Sequence, residues 1–171
     1  MTINRNEKNN PTRNNQIAYS NHNVWSGVLF GLGFVAFIDE AIFHQLLHWH
    51  HFYDKSTTDV GLISDGIFHA FSWFATIASL FLFADIRRKN GLWLSRWIGG
   101  VLVGAGAFQL YDGIIQHKLM RLHQIRYVDN VVIYDIVWII IAFIMLIIGV
   151  NLLVRTRNKH QKVEVISNEP S

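Results

Sequence analysis

Long apolar runs separated by short polar connectors organise this chain. Four of them, from Val24 to Leu47, Val60 to Ala84, Trp97 to Gln116 and Val131 to Val154, stand out along the sequence. Each reaches the ~20 residues that a helix rising ~1.5 Å per residue needs to cross ~30 Å of hydrocarbon. The last, VVIYDIVWIIIAFIMLIIGVNLLV, contains a single charged residue, Asp135. The pattern predicts an all-α polytopic membrane protein, a bundle of four transmembrane helices over residues 24–154. Residues 1–23, which open MTINRNEKNNPTRNNQ and lack apolar periodicity, read as a disordered tail, and residues 155–171 as a second tail, disordered after Lys159. The polar leader and the missing small-residue cleavage site make the first run a span rather than a cleaved signal.

Composition agrees: 51% of residues are hydrophobic and 16% charged. The absence of cysteine excludes disulfides and thiolate metal sites. A net charge of +3 gives no basis for nucleic-acid binding. The placement of the basic residues says more than their sum. Eleven of the fifteen Lys and Arg fall before the first run, between the second and third, or after the fourth. Only Lys55, Lys118, Arg121 and Arg126 fall on the other side. The positive-inside rule then places both termini in the cytoplasm, with Trp25, Trp93 and Trp97 at the inner interface and Trp49 at the outer.

That orientation gathers seven of the nine histidines at the outer ends of the spans. They include a duplicated spacing. Asp39, His44 and His50 are five and six residues apart, as are Asp112, His117 and His123, at a constant offset of 73. Asp65, opening the second run, corresponds roughly to Asp135, opening the fourth. The chain therefore reads as two helical hairpins, residues 24–84 and 97–154, duplicated in parallel about an axis along the membrane normal. The small-residue runs GVLFGLGFVAF and GGVLVGAGAF predict close helix approach.

Acids within a membrane are costly unless paired or solvated, and they normally face the bundle interior. Helical rise puts Asp39 and Asp112 ~21–22 Å from the inner interface, level with Asp65 and His69 descending on the second span. Inner-layer metal ligands are expected from His44, His69, His117, Asp65, Asp112 and Asp39. His50 and His123 are expected at the mouth, as an access point or second site. Glu40, His51, Arg126 and Asp135 are expected to orient the ligands from behind. On a regular helix Asp39 and His44 stand ~140° apart, so either the helix is distorted there or there is more than one site.

The segments DEAIFHQLLHWHH, DGIFHAFSW and DGIIQHKLMRLHQIR resemble a widespread bacterial family of predicted membrane proteins, a domain of unknown function. Its pattern falls here on Asp39, His44, Gln45, Trp49, His50, His51, Asp65, Gly66, His69, Asp112, Gly113, His117, His123 and Arg126. The resemblance covers nearly all of residues 24–154, and the chain departs from the pattern at His48, Lys118 and Gln124. It implies a bacterial cytoplasmic-membrane protein with its histidine-rich side outside the cytoplasm, and a role in copper supply or oxidase assembly. Histidine and carboxylate donors without thiolate suit Cu²⁺, Zn²⁺, Fe²⁺ or Mn²⁺. The expected function is transition-metal binding, with copper favoured and zinc or iron as alternatives. The expected partners are the lipid bilayer and either another metal-handling membrane protein or a second copy. Two other readings remain open. One is a haem electron-transfer protein with His44 and His117 as axial ligands. The other is a proton- or ion-coupled transporter using Asp39, Asp65 and Asp112.

Overall fold

The computed structural model describes residues 10–167, and side chains as far as Arg157. Helix α1 covers Pro11–Ala18 and α2 covers Ser20–Asp39, continuing as a π-helical segment, Glu40–Leu46. Helix α3 is Thr58–Arg88, and α4 is Leu94–Leu110, continuing as a second π-helical segment, Tyr111–Leu119. Helix α5 is Val131–Ser167. Four stretches are long and apolar enough to cross a membrane: Ser20–Leu46, Thr58–Arg88, Leu94–Leu119 and Val131–Arg157. Local chemistry marks the ends of α3. The Thr57 hydroxyl accepts from Val60 N, and Arg87 and Arg88 occupy the last turn, where cations favour the helix dipole.

The interior of the bundle is made of small residues, and its outside is made of large ones. Helices α2 and α4 form the central pair, with α3 packed on α2 and α5 on α4. Gly27, Gly31, Gly100 and Gly104 let the central pair touch backbone to backbone. A Cβ on Gly31 would lie 2.9 Å from Ala105 N, and one on Gly27 2.9 Å from Val101 N. Across the α2–α3 contact, Ser26 Oγ donates to Ser79 O and Ser79 Oγ to Ser26 O, at 3.2 and 3.0 Å. The apolar side chains of α3 and α5, such as Phe74, Phe81, Ile136 and Ile147, are exposed. Helix α5 has a mean hydropathy of 3.0 over its most apolar window and buries only 11% of it. That is the arrangement of helices whose solvent is lipid, where close packing of small residues replaces a hydrophobic core.

The reading of residues 1–23 and of the chain after Lys159 as disordered needs correction wherever they are described. Residues 1–9 and 168–171 lie outside the described residues. Asn10 caps α1 by accepting from Thr12 N and Arg13 N, with Pro11 as the first helical residue. Asn15 and Gln16 then donate to Lys89 O and Leu92 O, each at 3.0 Å. Buried Asn23 donates to Gly91 O and accepts from Trp93 N. The asparagines that suggested a loose tail supply the polar partners that the α3–α4 connection needs. At the other end, α5 continues past Val154 as helix to Ser167.

Candidate metal centre

Both copies of the Asp–x4–His spacing sit where α-helix gives way to π-helix. In an α-helix, residues five apart diverge. A π turn bonds residue i to i+5 and brings them onto one face. Leu47 N bonds Ile42 O at 2.9 Å and Met120 N bonds Ile115 O at 2.7 Å, both in that register. Asp39 and His44 therefore converge, as do Asp112 and His117. The distortion left open by the helical wheel is present, twice.

The duplication extends to the backbone beyond each π segment. Trp49 N bonds Phe43 O and Leu122 N bonds Gln116 O, both at 2.9 Å and 73 positions apart. Each bond closes over a residue in the left-handed region, His48 with φ 50° and Arg121 with φ 51°. Side chains with a Cβ are strained there. His48 is exposed, so its position is explained by backbone geometry. His48→Gly is expected to raise stability by ~0.5–1 kcal/mol, with metal content unchanged. Thermal denaturation and metal analysis of the same sample check both halves, and a loss of metal would show that the imidazole is used.

The left-handed turn sends the chain back inward, which corrects the expected position of His50 and His123. Both are buried, with exposures of 5% and 2%, although His50 also lines a pocket shared with His48, His51 and Asp54. Their rings stack at 4.5 Å between centroids, with planes 4° apart. His50 Nδ1 donates to Ile125 O at 3.0 Å, and His123 Nδ1 donates to Phe52 O at 2.9 Å. Positions 50 and 123, and 52 and 125, are repeat equivalents, so each loop anchors the histidine of the other. A carbonyl can only accept, so each ring carries its proton on Nδ1 and leaves the Nε2 lone pair free. Burial, with His123 and His44 beside it, pushes His50 down to about 2, so its imidazole is neutral.

Six of the expected ligands form two sets, and a third group shares His44 with Glu40 and Asp65. Donor atoms of Asp39, His44 and His50 lie within 4.8 Å of one another, as do those of Asp112, His117 and His123. His44 Nε2 is 3.7 Å from Asp39 Oδ2, and His117 Nε2 is 3.1 Å from Asp112 Oδ2. The rings form one continuous cluster, with centroids 4.4 Å apart for His44–His50 and 4.7 Å for His117–His123. The Nε2 atoms of all four histidines are buried without a hydrogen-bond partner.

The surroundings of the two sets differ. His44 Nδ1 has one proton and two carboxylates at 3.0 Å. It bonds Asp65 Oδ1, leaving Glu40 Oε2 without a bond. Asp65 is also held by His51 Nδ1 at 2.6 Å and by Phe52 N at 2.7 Å. In the second copy Gly113 and Trp138 stand 73 positions after Glu40 and Asp65. A Cβ on Gly113 would lie 2.9 Å from Trp138 Cδ1, so the indole takes the space of the acid pair. The acid near His117 is Asp135, 3.8 Å from Nδ1 and paired with Lys118. Five buried carboxyl groups (Asp39, Glu40, Asp65, Asp112 and Asp135) lie among the buried histidines, with Asp135 paired to Lys118.

Asp65 remains among the residues that could hold an ion, since Glu40, His44 and Asp65 also bring donor atoms within 4.8 Å of one another, while His51 and Asp135 stand behind the histidines. His69 lies elsewhere, half-buried with its ring 5.6 Å from Phe37. Arg126 places its guanidinium 4.6 Å over Trp49 and donates to Tyr134 Oη, so it ties the two loops together. Sequence reasoning missed Lys118 and Gln116, which is buried with Oε1 unpartnered. It also missed the carbonyls of Phe52 and Ile125. The offset of 73 relates those two carbonyls and was the one signal for them.

No curated protein and no solved structure matches the chain. A family model described as "Predicted membrane protein (DUF2243)" matches residues 26–156, which include both Asp–His–His sets and most of all four spans. The chain therefore belongs to this family of predicted membrane proteins of unknown function.

Proposed function

We propose that this membrane protein holds two transition-metal ions between its repeats, one at Asp39, His44 and His50 and one at Asp112, His117 and His123. The observation that carries the reading is the set of four Nε2 atoms, buried without a hydrogen bond of ordinary geometry and each grouped with a carboxylate. Buried polar atoms are nearly always bonded, so four orphans in one cluster indicate donors awaiting an acceptor of lone pairs. Two ions fit better than one because each set of close donors comes from a single repeat. Two histidines and a carboxylate suit Cu²⁺, Zn²⁺ or Fe²⁺. Copper is favoured, in line with the role in copper supply that the family resemblance implies. Asp65 behind His44 is the carboxylate–histidine arrangement that fixes a ligand's orientation.

Rings packed at 4.4–4.7 Å leave no slot for a porphyrin, which favours bare ions over haem. A pocket of about 190 Å³, lined by His50, His51, Asp54 and Tyr127 among others, gives ions a route to the cluster. The connecting loops are short, which favours metal binding or assembly of another metalloprotein over catalysis on a large substrate. By the positive-inside rule the centre faces the extracytoplasmic side of a bacterial inner membrane, and both termini the cytoplasm.

Mass spectrometric metal analysis of the detergent-purified protein, with its visible spectrum, tests the reading. About two equivalents of copper, zinc or iron per chain without a Soret band is the expected result. A Soret band, or neither metal nor chromophore, would overturn it.

A further inference from the structure

Beside the histidine cluster lies a cavity of about 630 Å³, walled by residues of α2, α3, α4 and the π segment that follows α4. That volume suits a single small organic molecule. Phe52, Phe68 and Phe108 supply aromatic faces, stacked at 4.8 Å for Phe52–Phe68 and 5.9 Å for Phe68–Phe108. Ile67, Phe71 and Tyr111, also in the lining, are 68, 52 and 51% exposed, so the opening lies among the lipid-facing side chains. The polar side chain deepest in the wall is Gln116, 1% exposed, whose Oε1 has no partner. The wall is continuous with the centre: Gln116 precedes His117, and the Phe52 carbonyl holds His123.

The repeat shows what this crevice would look like closed. The residue 73 positions before Gln116 is Phe43. Its ring packs against Trp138 at 5.7 Å and Trp49 at 5.0 Å, filling the corresponding space between α2 and α5. Likewise Ala107 corresponds to Phe34. At these two positions one repeat carries aromatic rings, and the other carries a polar and a small residue beside the open crevice.

We infer that this cavity binds a lipid-soluble phenol or quinol, its ring among Phe52, Phe68 and Phe108 and its hydroxyl on the Gln116 amide. Aromatic walls favour a flat ring over a saturated lipid chain, because stacked and edge-on ring contacts add to simple burial. A hydroxyl can donate and accept, so it pairs with the amide in either orientation. An acyl chain would leave that amide unsatisfied, and unpaired buried polar groups are costly. The binding is independent of the metal reading, although the position suggests what such a centre would meet.

The test uses the full-length protein in lipid nanodiscs, with empty nanodiscs subtracting partition into the bilayer. Isothermal titration of 4-octylphenol is expected to show saturable binding with one site. Its methyl ether, 4-octylanisole, cannot donate and is expected to bind ~10-fold more weakly. Gln116→Leu is expected to abolish the difference between the two probes while retaining binding. Gln116→Phe, which supplies the side chain found at position 43, is expected to remove saturable binding. Should that variant fail to fold, Ala107→Phe closes the cavity from α4 and is expected to do the same. Equal affinity for phenol and ether in the unaltered protein would overturn the inference, as would phenol binding unchanged by the filling variant. Heat no different from empty nanodiscs would also overturn it. Metal content measured on the same samples separates this result from the fate of the proposed centre.

Discussion

Replacing His44 by alanine is expected to remove one equivalent of metal and leave the other, and replacing His117 is expected to do the same. The double variant is expected to carry none. The reasoning is geometric. Each substitution deletes one Nε2 from one set, and the other set keeps three donors within 4.8 Å drawn from its own repeat. These two histidines are cleaner to remove than His50 and His123, whose Nδ1 atoms anchor the opposite loops. Without His44, Asp65 keeps its bonds from Phe52 N and His51 Nδ1. Losing a ligand should cost at least the ~10–100-fold in affinity that loss of a supporting residue costs. The effect also appears as stability, because an ion bound only by the folded chain at 100 times its dissociation constant contributes about 2.7 kcal/mol. A chelator should lower the melting temperature of the unaltered protein most, each single variant less, and the double variant not at all. If either single variant lost both ions, the two sets would act as one bridged centre. If the double variant kept its metal, the ligand assignment would be wrong.

The sequence made the fold and the duplicated Asp–His–His spacing readable, but not how these residues group, since His50 and His123 were expected apart from an inner layer that included Asp65 and His69. Four apolar runs were enough for four spans, because crossing hydrocarbon constrains length and composition strongly. The offset of 73 paired Asp39, His44 and His50 with Asp112, His117 and His123 before any coordinates. It could not show that both helices change register, since a π turn has no simple residue signature and depends on contacts made elsewhere in the fold. His50 and His123 were misplaced for a similar reason. Their inward position rests on hydrogen bonds between residues 75 and 71 apart, which no local pattern carries. His69 shows the limit of face-sharing arguments. It is four residues from Asp65, yet the buried stripe of α3 runs Gly61, Asp65, Phe68, Ser72, Ala75 and Ser79, and passes it by. The Asn-rich segment before α2 was misread because its amides bond the α3–α4 connection rather than one another.

Gly104→Leu is expected to damage the protein more than any single change at the centre, although it is not itself one of the grouped donors. Gly31 and Gly104 are repeat equivalents, as are Gly27 and Gly100, and the four meet across the contact of α2 with α4. A Cβ on Gly104 would sit 2.8 Å from Val28 C and 2.9 Å from Val28 Cα. These are backbone atoms of a helix and cannot rotate away, so the two helices would have to separate. Overpacking where side chains can adjust costs ~1–3 kcal/mol, and a whole leucine against backbone should exceed that range. The same two helices lead into both π segments. Prising them apart strains the bonds from His50 Nδ1 to Ile125 O and from His123 Nδ1 to Phe52 O, which hold one histidine of each set from the opposite loop, so metal should fall together with stability. Gly66 is the control: an added Cβ there meets nothing within 4 Å. Gly66→Ala should leave metal content unchanged and add ~0.5–1 kcal/mol of helix stability. Heating each variant and following the loss of its monodisperse chromatographic peak compares them directly. Normal thermal resistance and full metal in Gly104→Leu would mean that α2 and α4 are not in contact at these glycines, and the pairing of the two repeats would have to be redrawn.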